Sequence, residues 1–284
     1  MNQGLGGTAC RRPCLKMKNW GRRHGVPPKD MKNFELITFT SADELASTVA
    51  GKWLDEITLA KRAGQSHSVA LSGGRITQKF FAAVVEQAGA RKIGDGDTPS
   101  LPSNVHFFWA DERCVPPDDP ESNFRLANEL LFVPLKISDN QIHRIRGELP
   151  PKTAVALAEK ELRRVVGCAR IPAGKDAGVP GLDLIFLGMG EDGHVASLFP
   201  DGLQAAGSDR AIFRAVHNSP KPPPNRVTLG FAAIAAARQV WVLVSGTGKE
   251  EALRESLTEN GSTPLGRVTQ FRTQTVIFCD FLPV

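Results

Sequence analysis

One segment of the sequence, residues 182–200, combines acid and base side chains with a backbone suited to holding them beside a ligand. Residues 182–187 are almost entirely apolar, which predicts a β-strand buried on both faces. Asp192 and His194 follow in a turn with three glycines, which allow sharp bends and a close approach to a ligand: Gly188, Gly190 and Gly193. We therefore predict an acid/base site at the end of a buried strand.

The same glycines match the dinucleotide-binding pattern G-x-G-x-x-G, but the residues after them disfavour that function. A dinucleotide turn needs a long helix beginning at its third glycine, whereas Pro200 and Gly202 interrupt the chain soon after Gly193. An Asp-His pair is also poorly suited to approach a pyrophosphate. A loop histidine without a function is common in proteins, yet one held two residues from an aspartate is typical of an acid/base group.

Strand and helix patterns alternate along the chain. The sequence predicts strands at 34–39, 105–110, 182–187, 226–229, 239–244 and 275–278, and a further strand that ends at residue 71. It predicts helices at 41–62, 76–87, 124–131, 152–166 and 249–257. This alternation predicts one α/β domain over residues 33–284, with a mostly parallel sheet flanked by helices on both faces. Such sheets bind ligands beyond the carboxyl ends of their strands, so the loops at those ends are candidates for a site.

Several of these loops carry groups suited to a phosphorylated ligand. Ser72-Gly73-Gly74 joins a strand to a helix, where backbone N–H groups and the helix dipole bind anions. Taken alone, this motif is explained equally well as a tight turn, and the Walker lysine motif is absent. The other loops contribute charged and amide side chains: Asp111, Arg113, Asn123, Arg226 and Lys249. Taken one at a time, Asp111 and Arg113 are also explained as an ion pair, and Arg226 and Lys249 as solvated surface residues.

Taken in order, these motifs resemble those of the 6-phosphogluconolactonases, in the glucosamine-6-phosphate isomerase/6-phosphogluconolactonase family, over about residues 34–284. The matching motifs are Ser72-Gly-Gly, Asp111-Glu-Arg-x-Val-Pro, Ser122-Asn123, Gly188-x-Gly-x-Asp-Gly-His-x-Ala-Ser-Leu-Phe-Pro, Arg226-Val-Thr-Leu and Gly246-x-x-Lys249. The resemblance implies a fold similar to that of the glucosamine-6-phosphate deaminases. It also implies hydrolysis of 6-phospho-D-glucono-1,5-lactone to 6-phospho-D-gluconate in the oxidative pentose phosphate pathway.

Hydrolysis of a lactone needs an activated water and a proton for the departing ring oxygen, and one histidine can serve both steps. His194 is the expected catalytic residue, with Asp192 orienting it or binding a sugar hydroxyl. The expected substrate and phosphate clamp comprises Ser72, Gly73, Gly74, Arg75, Asp111, Arg113, Asn123, Gly190, Arg226 and Lys249. Arg75-Ile76-Thr77 departs from the family's usual Ser-Thr-Pro, so a cation replaces a hydroxyl at the proposed phosphate loop.

Two other functions stay open. In the amino-sugar phosphate deaminase/isomerases, the histidine loop resembles Asp-Gly-His-Ile-Ala-Phe-Asn-Glu-Pro, and the chemistry uses the carboxylate just after the histidine. This sequence has Ser197-Leu198-Phe199 at that place. A non-catalytic sugar-phosphate-binding protein would keep the cations and lose the histidine, whereas this sequence keeps both. No metal and no cofactor are expected, because motifs such as H-E-x-x-H are absent, and Gly-x-Ser-x-Gly for a nucleophilic serine is absent too.

The net charge of +5 is concentrated in residues 1–32, which contain eight basic residues and one acidic residue. The other 252 residues carry a net −2, which removes the electrostatic argument for a nucleic-acid partner. Residues 1–32 lack the apolar core of a secretory signal, their prolines disfavour a transit peptide, and we expect a disordered extension with Met31 as an alternative start.

The remaining composition favours a cytoplasmic protein that acts on a small molecule. No run of 18 apolar residues is present to span a membrane, and the five scattered cysteines are typical of a reducing compartment. A monomer or a weak homodimer is expected.

Deleting residues 1–30 should leave lactone hydrolysis and the melting temperature nearly unchanged, because this segment lacks the apolar content to pack and every candidate site residue lies beyond it. Thermal unfolding and a lactone assay on the full and shortened chains test this. A melting temperature several degrees lower in the shortened chain would show that the segment docks onto the domain.

Overall fold

The computed structural model describes residues 33–94, 100–167, 178–201 and 210–282, so the predicted N-terminal extension lies outside the described residues. In chain order the strands are β1 Phe34–Thr38, β2 His67–Leu71, β3 Val105–Trp109, β4 Asp111–Arg113, β5 Leu184–Gly188, β6 Phe213–Val216, β7 Arg226–Leu229, β8 Gln239–Val244 and β9 Thr275–Cys279. The helices are α1 Ala42–Arg62, α2 Arg75–Arg91, α3 Asn123–Ala127, α4 Pro151–Val166, α5 Phe231–Ala236, α6 Glu250–Ser256 and α7 Pro264–Phe271.

Six strands form a parallel sheet in the order β1-β9-β8-β5-β2-β3, flanked by helices. The predicted α/β class with a mostly parallel sheet is confirmed. Every residue of β2 is buried, as are the first four of β5, which explains why these central strands are continuous apolar runs. Because all six strands run in one direction, the loops after β2, β5 and β8 meet at one edge of the sheet.

Helix α1 begins where the sequence supplies a cap. The Ser41 side chain accepts a hydrogen bond from the backbone N–H of Glu44, and the Glu44 carboxylate accepts one from the N–H of Thr40. The predicted helix at 124–131 is instead the short α3 followed by a π-helical turn over Asn128–Phe132.

An aromatic cluster joins the helices to the sheet strand that carries the histidine turn. Phe186 of β5 lies 4.7 Å from the ring of Phe80 on α2 and 5.6 Å from that of Trp53 on α1. Trp53 and Phe80 are themselves 5.8 Å apart, and all three side chains are buried. Such pairs contribute about 0.5–1.5 kcal/mol each beyond the area they bury, so they hold β5 in a defined position.

A second, antiparallel sheet in the order β4-β7-β6 was not predicted. Strand β7 was expected among the strands alternating with helices, but it pairs with β4, so that Arg113 lies opposite Arg226 and Asp111 opposite Thr228. Strand β4 has only three residues and β6 is partly exposed, so neither has the long apolar run that identifies a strand in a sequence. Within the described ranges, no helix is long and apolar enough to cross a membrane.

Candidate active site

The predicted site residues converge on one cavity of about 150 Å³ at the carboxyl edge of the parallel sheet. Those that line it are Ser72, Gly73, Gly74, Arg75, Asp111, Arg113, Asn123, Gly190, His194, Arg226 and Lys249. Asp192 does not line the cavity and instead bonds to His194. The structure therefore brings together loops that are far apart in the sequence.

The turn after β5 is closed by its own backbone. The N–H of Gly190 donates to the carbonyl of His194 at 2.9 Å, and the N–H of Gly193 donates to the carbonyl of Gly190 at 3.1 Å. A Cβ atom on Gly190 would lie 2.1 Å from the imidazole ring, so only glycine lets this ring fold over the turn. Gly193 has a φ of 75°, which also favours glycine.

Asp192 fixes the tautomer of His194. The carboxylate only accepts hydrogen bonds, so the contacting Nδ1 carries a proton and Nε2 is left as the basic nitrogen. Burial lowers the pKa of His194, although the bond and charge of Asp192 act in the opposite direction. Burial raises the pKa of Asp192, but the bonds from His194 and the charge of its imidazole together lower it by more, so that the pKa lies below its ordinary value. His194 is thus held neutral at physiological pH with one free basic nitrogen.

Ser72-Gly73-Gly74 forms a short connection between β2 and α2. The Ser72 hydroxyl donates to the carbonyl of Phe186 at 2.8 Å, which ties the loop to β5. A Cβ on Gly73 would lie 2.0 Å from Oδ1 of Asn123, so this glycine makes room for the asparagine. No side chain caps α2 at Gly74, where the backbone N–H groups of the first turn can bind an anion.

Two cations lie beside this helix terminus. Arg75 opens α2, and Lys249 precedes α6 at the end of the β8 loop. Burial lowers the pKa of Lys249, and the charge of Arg75 lowers it further. Two positive charges close enough to repel each other beside a helix N-terminus are well placed for a dianionic phosphate.

The two arginines of the antiparallel sheet also face the cavity, but other groups hold them. Arg226 is buried, its Nη2 donates to the carbonyls of Lys221 at 2.9 Å and Pro222 at 3.0 Å, and its Nε donates to that of Pro223 at 3.2 Å. Arg113 donates to the carbonyl of Glu121 at 2.6 Å. Arg226 therefore fixes the proline-rich loop that precedes it, in addition to lining the cavity.

Asp111 is the buried acceptor at the centre of the site. It accepts a bond of 2.6 Å from the Ser197 hydroxyl, which follows the histidine turn, and its backbone carbonyl accepts one of 2.9 Å from Nδ2 of Asn123. These bonds join the β3–β4 corner to the histidine loop and to α3.

Glu112 is a buried acceptor beside the cavity that was not predicted as a site residue from the sequence. Its buried carboxylate accepts backbone N–H bonds from Arg113 at 2.7 Å, Asn123 at 2.8 Å and Phe124 at 2.8 Å, and a hydroxyl bond from Ser122 at 3.2 Å. Burial raises the pKa of Glu112 to about 7, although the three N–H donors act to lower it. The carboxylate holds the start of α3 and so positions Asn123. A signal was present in the second acid of Asp111-Glu112, which follows a buried strand.

Among the described residues, no group of three or more His, Cys, Asp or Glu side chains is arranged to hold a metal ion. Cys114 and Cys279 are free thiols. The cavity is lined by the His194 imidazole and by Arg75 and Lys249 beside the N-terminus of α2, which suits acid/base chemistry on a phosphorylated substrate.

Comparison with known proteins agrees with this geometry. A family model for glucosamine-6-phosphate isomerases and 6-phosphogluconolactonases matches residues 40–277. The chain belongs to this family. It is similar to the 6-phosphogluconolactonase of Streptomyces coelicolor, with 32% identity over 228 residues that make up 80% of this chain and 84% of that protein.

Solved structures of the same family are similar over nearly the whole domain. The 6-phosphogluconolactonase of Trypanosoma brucei has a TM-score of 0.73 and 26% identity, and the match covers 86% of this chain and 95% of that one. That of Thermotoga maritima has a TM-score of 0.63 and 29% identity, covering 87% and 99%. A monomeric glucosamine-6-phosphate deaminase, at 17% identity and a TM-score of 0.67 over 87% and 97%, shares the fold.

Replacing Glu112 with alanine should lower the free energy of unfolding by about 2 kcal/mol or more, because three buried N–H groups lose their acceptor. It should also lower kcat, since Asn123 loses its position. Urea denaturation and a lactone assay measure both effects, with Glu86→Ala as the matched change at an exposed glutamate. Equal stability in the two variants would show that this carboxylate does not hold α3.

Proposed function

We propose that this chain hydrolyses 6-phospho-D-glucono-1,5-lactone to 6-phospho-D-gluconate, with His194 as the acid/base residue. The observation that carries the proposal is that His194, oriented by its bond to Asp192, lines one cavity with Arg75, Lys249 and the open N-terminus of α2. Membership of the family and the similarity to 6-phosphogluconolactonases support it. The reaction belongs to the oxidative pentose phosphate pathway.

The free Nε2 of His194 takes a proton from a water molecule whose oxygen forms a bond to C1 of the lactone. The tetrahedral intermediate then breaks its bond between C1 and the ring oxygen. His194 returns the proton to that oxygen, and the new carboxylic acid ionises. Asp192 keeps the ring oriented and stabilises the imidazolium that exists between the two proton transfers.

Binding of the phosphate places C1 at His194. Arg75, Lys249 and the first N–H groups of α2 hold the phosphate, while Asp111 and Asn123 are available to the sugar hydroxyls. Positioning of this kind removes much of the entropic part of the barrier. A δ-lactone also opens readily, so moderate proton-transfer catalysis is sufficient.

The deaminase/isomerase alternative is less well supported. Ser197 occupies the region where that chemistry uses a carboxylate, and its hydroxyl donates to Asp111. Asp111 therefore serves as an acceptor for a neighbouring side chain. A non-catalytic sugar-phosphate-binding protein would have no need of an oriented, neutral imidazole.

We further propose that the enzyme acts without a metal or cofactor, in the cytoplasm, as a monomer or a weak homodimer. The small-molecule substrate supports this proposal, since neither the proton transfers nor phosphate binding requires another partner. Loss of activity on exhaustive dialysis against EDTA, with recovery on adding Zn²⁺ or Mg²⁺, would contradict the metal-independent part.

Replacing His194 with alanine should lower kcat by about a hundredfold or more, because general acid–base catalysis typically contributes 10²- to 10⁴-fold. Binding of 6-phosphogluconate should stay near normal, since the imidazole acts mainly in proton transfer. Steady-state kinetics and calorimetry measure the two quantities, with glucosamine 6-phosphate as the control substrate. A variant that keeps more than about a tenth of the wild-type kcat would remove His194 from this role.

Replacing Lys249 with alanine should weaken hydrolysis of the phosphorylated lactone far more than that of glucono-δ-lactone, because its ammonium binds the phosphate. Arg226→Ala should impair both substrates, since Arg226 also holds the loop that contains Lys221 and Pro222. The ratio of kcat/KM on the two lactones separates these effects. An equal loss on both lactones for Lys249→Ala would mean that Lys249 does not bind the phosphate.

A further inference from the structure

Lys249 reaches the cavity from a glycine-rich loop that follows β8. Residues 245–248 of this loop are Ser-Gly-Thr-Gly, and both glycines have positive φ angles, 95° at Gly246 and 82° at Gly248. Glycine has more conformational freedom to lose on folding than any other residue, so such a backbone keeps one arrangement only where contacts hold it. The position of the Lys249 ammonium therefore depends on the contacts that this loop makes with the rest of the chain.

Asp280, the residue that follows β9, makes two such contacts with its side chain. One carboxylate oxygen accepts a bond of 2.6 Å from the Ser245 hydroxyl, and the other accepts one of 3.3 Å from the backbone N–H of Gly246. A carboxylate that accepts from two neighbouring residues fixes both the side chain of the first and the backbone direction of the second. Asp280 thus holds the start of the loop.

These bonds serve the loop and not the sheet. Strands β8 and β9 are already joined by main-chain pairing from Trp241 and Val276 to Val244 and Cys279. The backbone N–H of Asp280 extends this ladder by donating to the carbonyl of Val244 at 3.3 Å. The carboxylate of Asp280 is therefore free to bind beyond the end of β8.

Ser245 connects Asp280 to the cavity. Ser245 and Lys249, at the two ends of the loop, both line the cavity, whereas Asp280 is not among the described residues that line it. The carboxylate fixes the first end, and α6, which begins directly after Lys249, fixes the second. With only residues 246–248 between two fixed ends, the loop has few arrangements available to it. Asp280 can therefore position Lys249 without touching the ligand.

The charge of Asp280 acts on Lys249 as well. Burial lowers the pKa of Lys249, and the charges of Arg75 and Lys221 lower it further. Asp280 and Glu191 act in the opposite direction, and the effect of Asp280 is the larger of the two. The same carboxylate that holds the loop thus favours the protonated ammonium, which is the form that binds a phosphate.

We propose that Asp280 is a positioning residue for phosphate binding, which fixes the loop of residues 245–248 so that the Lys249 ammonium meets the phosphate of the substrate. The inference rests on the proposed function and adds to it a residue outside the cavity. Asp280 acts on the binding of phosphorylated ligands, and the proton transfers at His194 do not involve it.

Asp280→Asn tests the proposal, because it keeps the size of the side chain but removes its charge and one of its two acceptor atoms. We expect KM for 6-phosphogluconolactone to rise about tenfold, with kcat changed less, since the loop loses its charged acceptor. Hydrolysis of glucono-δ-lactone, which has no phosphate, should stay within about twofold of wild type. Asp139→Asn is the matched control, at an exposed aspartate outside this cavity.

The double variant with Lys249→Ala separates an effect through Lys249 from a general effect on the fold. Once Lys249 is absent, Asp280→Asn should lower kcat/KM on the phosphorylated lactone by less than about twofold. Binding of 6-phosphogluconate, measured by calorimetry across pH, gives a second readout. Loss of the Asp280 charge lowers the pKa of Lys249, so that the ammonium loses its proton, and binding weakens, at a lower pH than in wild type.

An equal loss on both lactones would overturn the proposal, because it would show a structural effect that has no connection with the phosphate. A KM within twofold of wild type, or the same loss with and without Lys249, would also overturn it, as would binding of 6-phosphogluconate that weakens at the wild-type pH. Failure of the proposed function gives a different result, in which the wild-type chain does not hydrolyse the lactone or His194→Ala is as active as wild type.

Discussion

The hydrogen bond between Asp192 and His194 decides which imidazole nitrogen carries the proton, and the proposed chemistry of the site depends on the other nitrogen. The bond depends in turn on Gly190, because any side chain there would occupy the position of the ring. It also depends on β5, which the aromatic cluster of α1 and α2 holds in place. The packing of the core thus helps to determine which nitrogen of His194 carries the proton.

The two sheets contribute different parts of the site. The parallel sheet brings the loops after β2, β5 and β8 to one edge, which supplies the imidazole, the N-terminus of α2 and Lys249. The antiparallel sheet pairs β4 with β7, which places Arg226 opposite Arg113 and Thr228 opposite Asp111. Glu112 and Asp111 connect the two parts, because the first holds α3 and the second accepts from the histidine loop.

Much of this could be predicted from the sequence. The buried run of β5, the glycines after it and the Ser72-Gly73-Gly74 motif are local signals, since glycine and apolar periodicity act within a few residues. The alternation of elements was sufficient for the α/β class. The resemblance of the ordered motifs also indicated the family to which the chain belongs.

The rest depends on contacts between distant residues. Strand β4 is too short to be recognised by pattern, and its pairing with β7 joins residues more than a hundred positions apart. The three N–H bonds to Glu112 and the carbonyl bonds of Arg226 follow from that arrangement. A sequence shows that Arg226 is a cation near a proline-rich stretch, but it does not show that the cation is already bonded to that stretch.

The protonation state of His194 is the most direct test of the mechanism. Nitrogen NMR of the imidazole, recorded across pH on selectively labelled protein, reports both the tautomer and the pKa. We expect a proton on Nδ1, a free Nε2 and a pKa below the ordinary value for histidine, because burial outweighs the effect of Asp192. A proton on Nε2 in the neutral ring, or a pKa above the ordinary value, would contradict the role of His194 as the base that activates water.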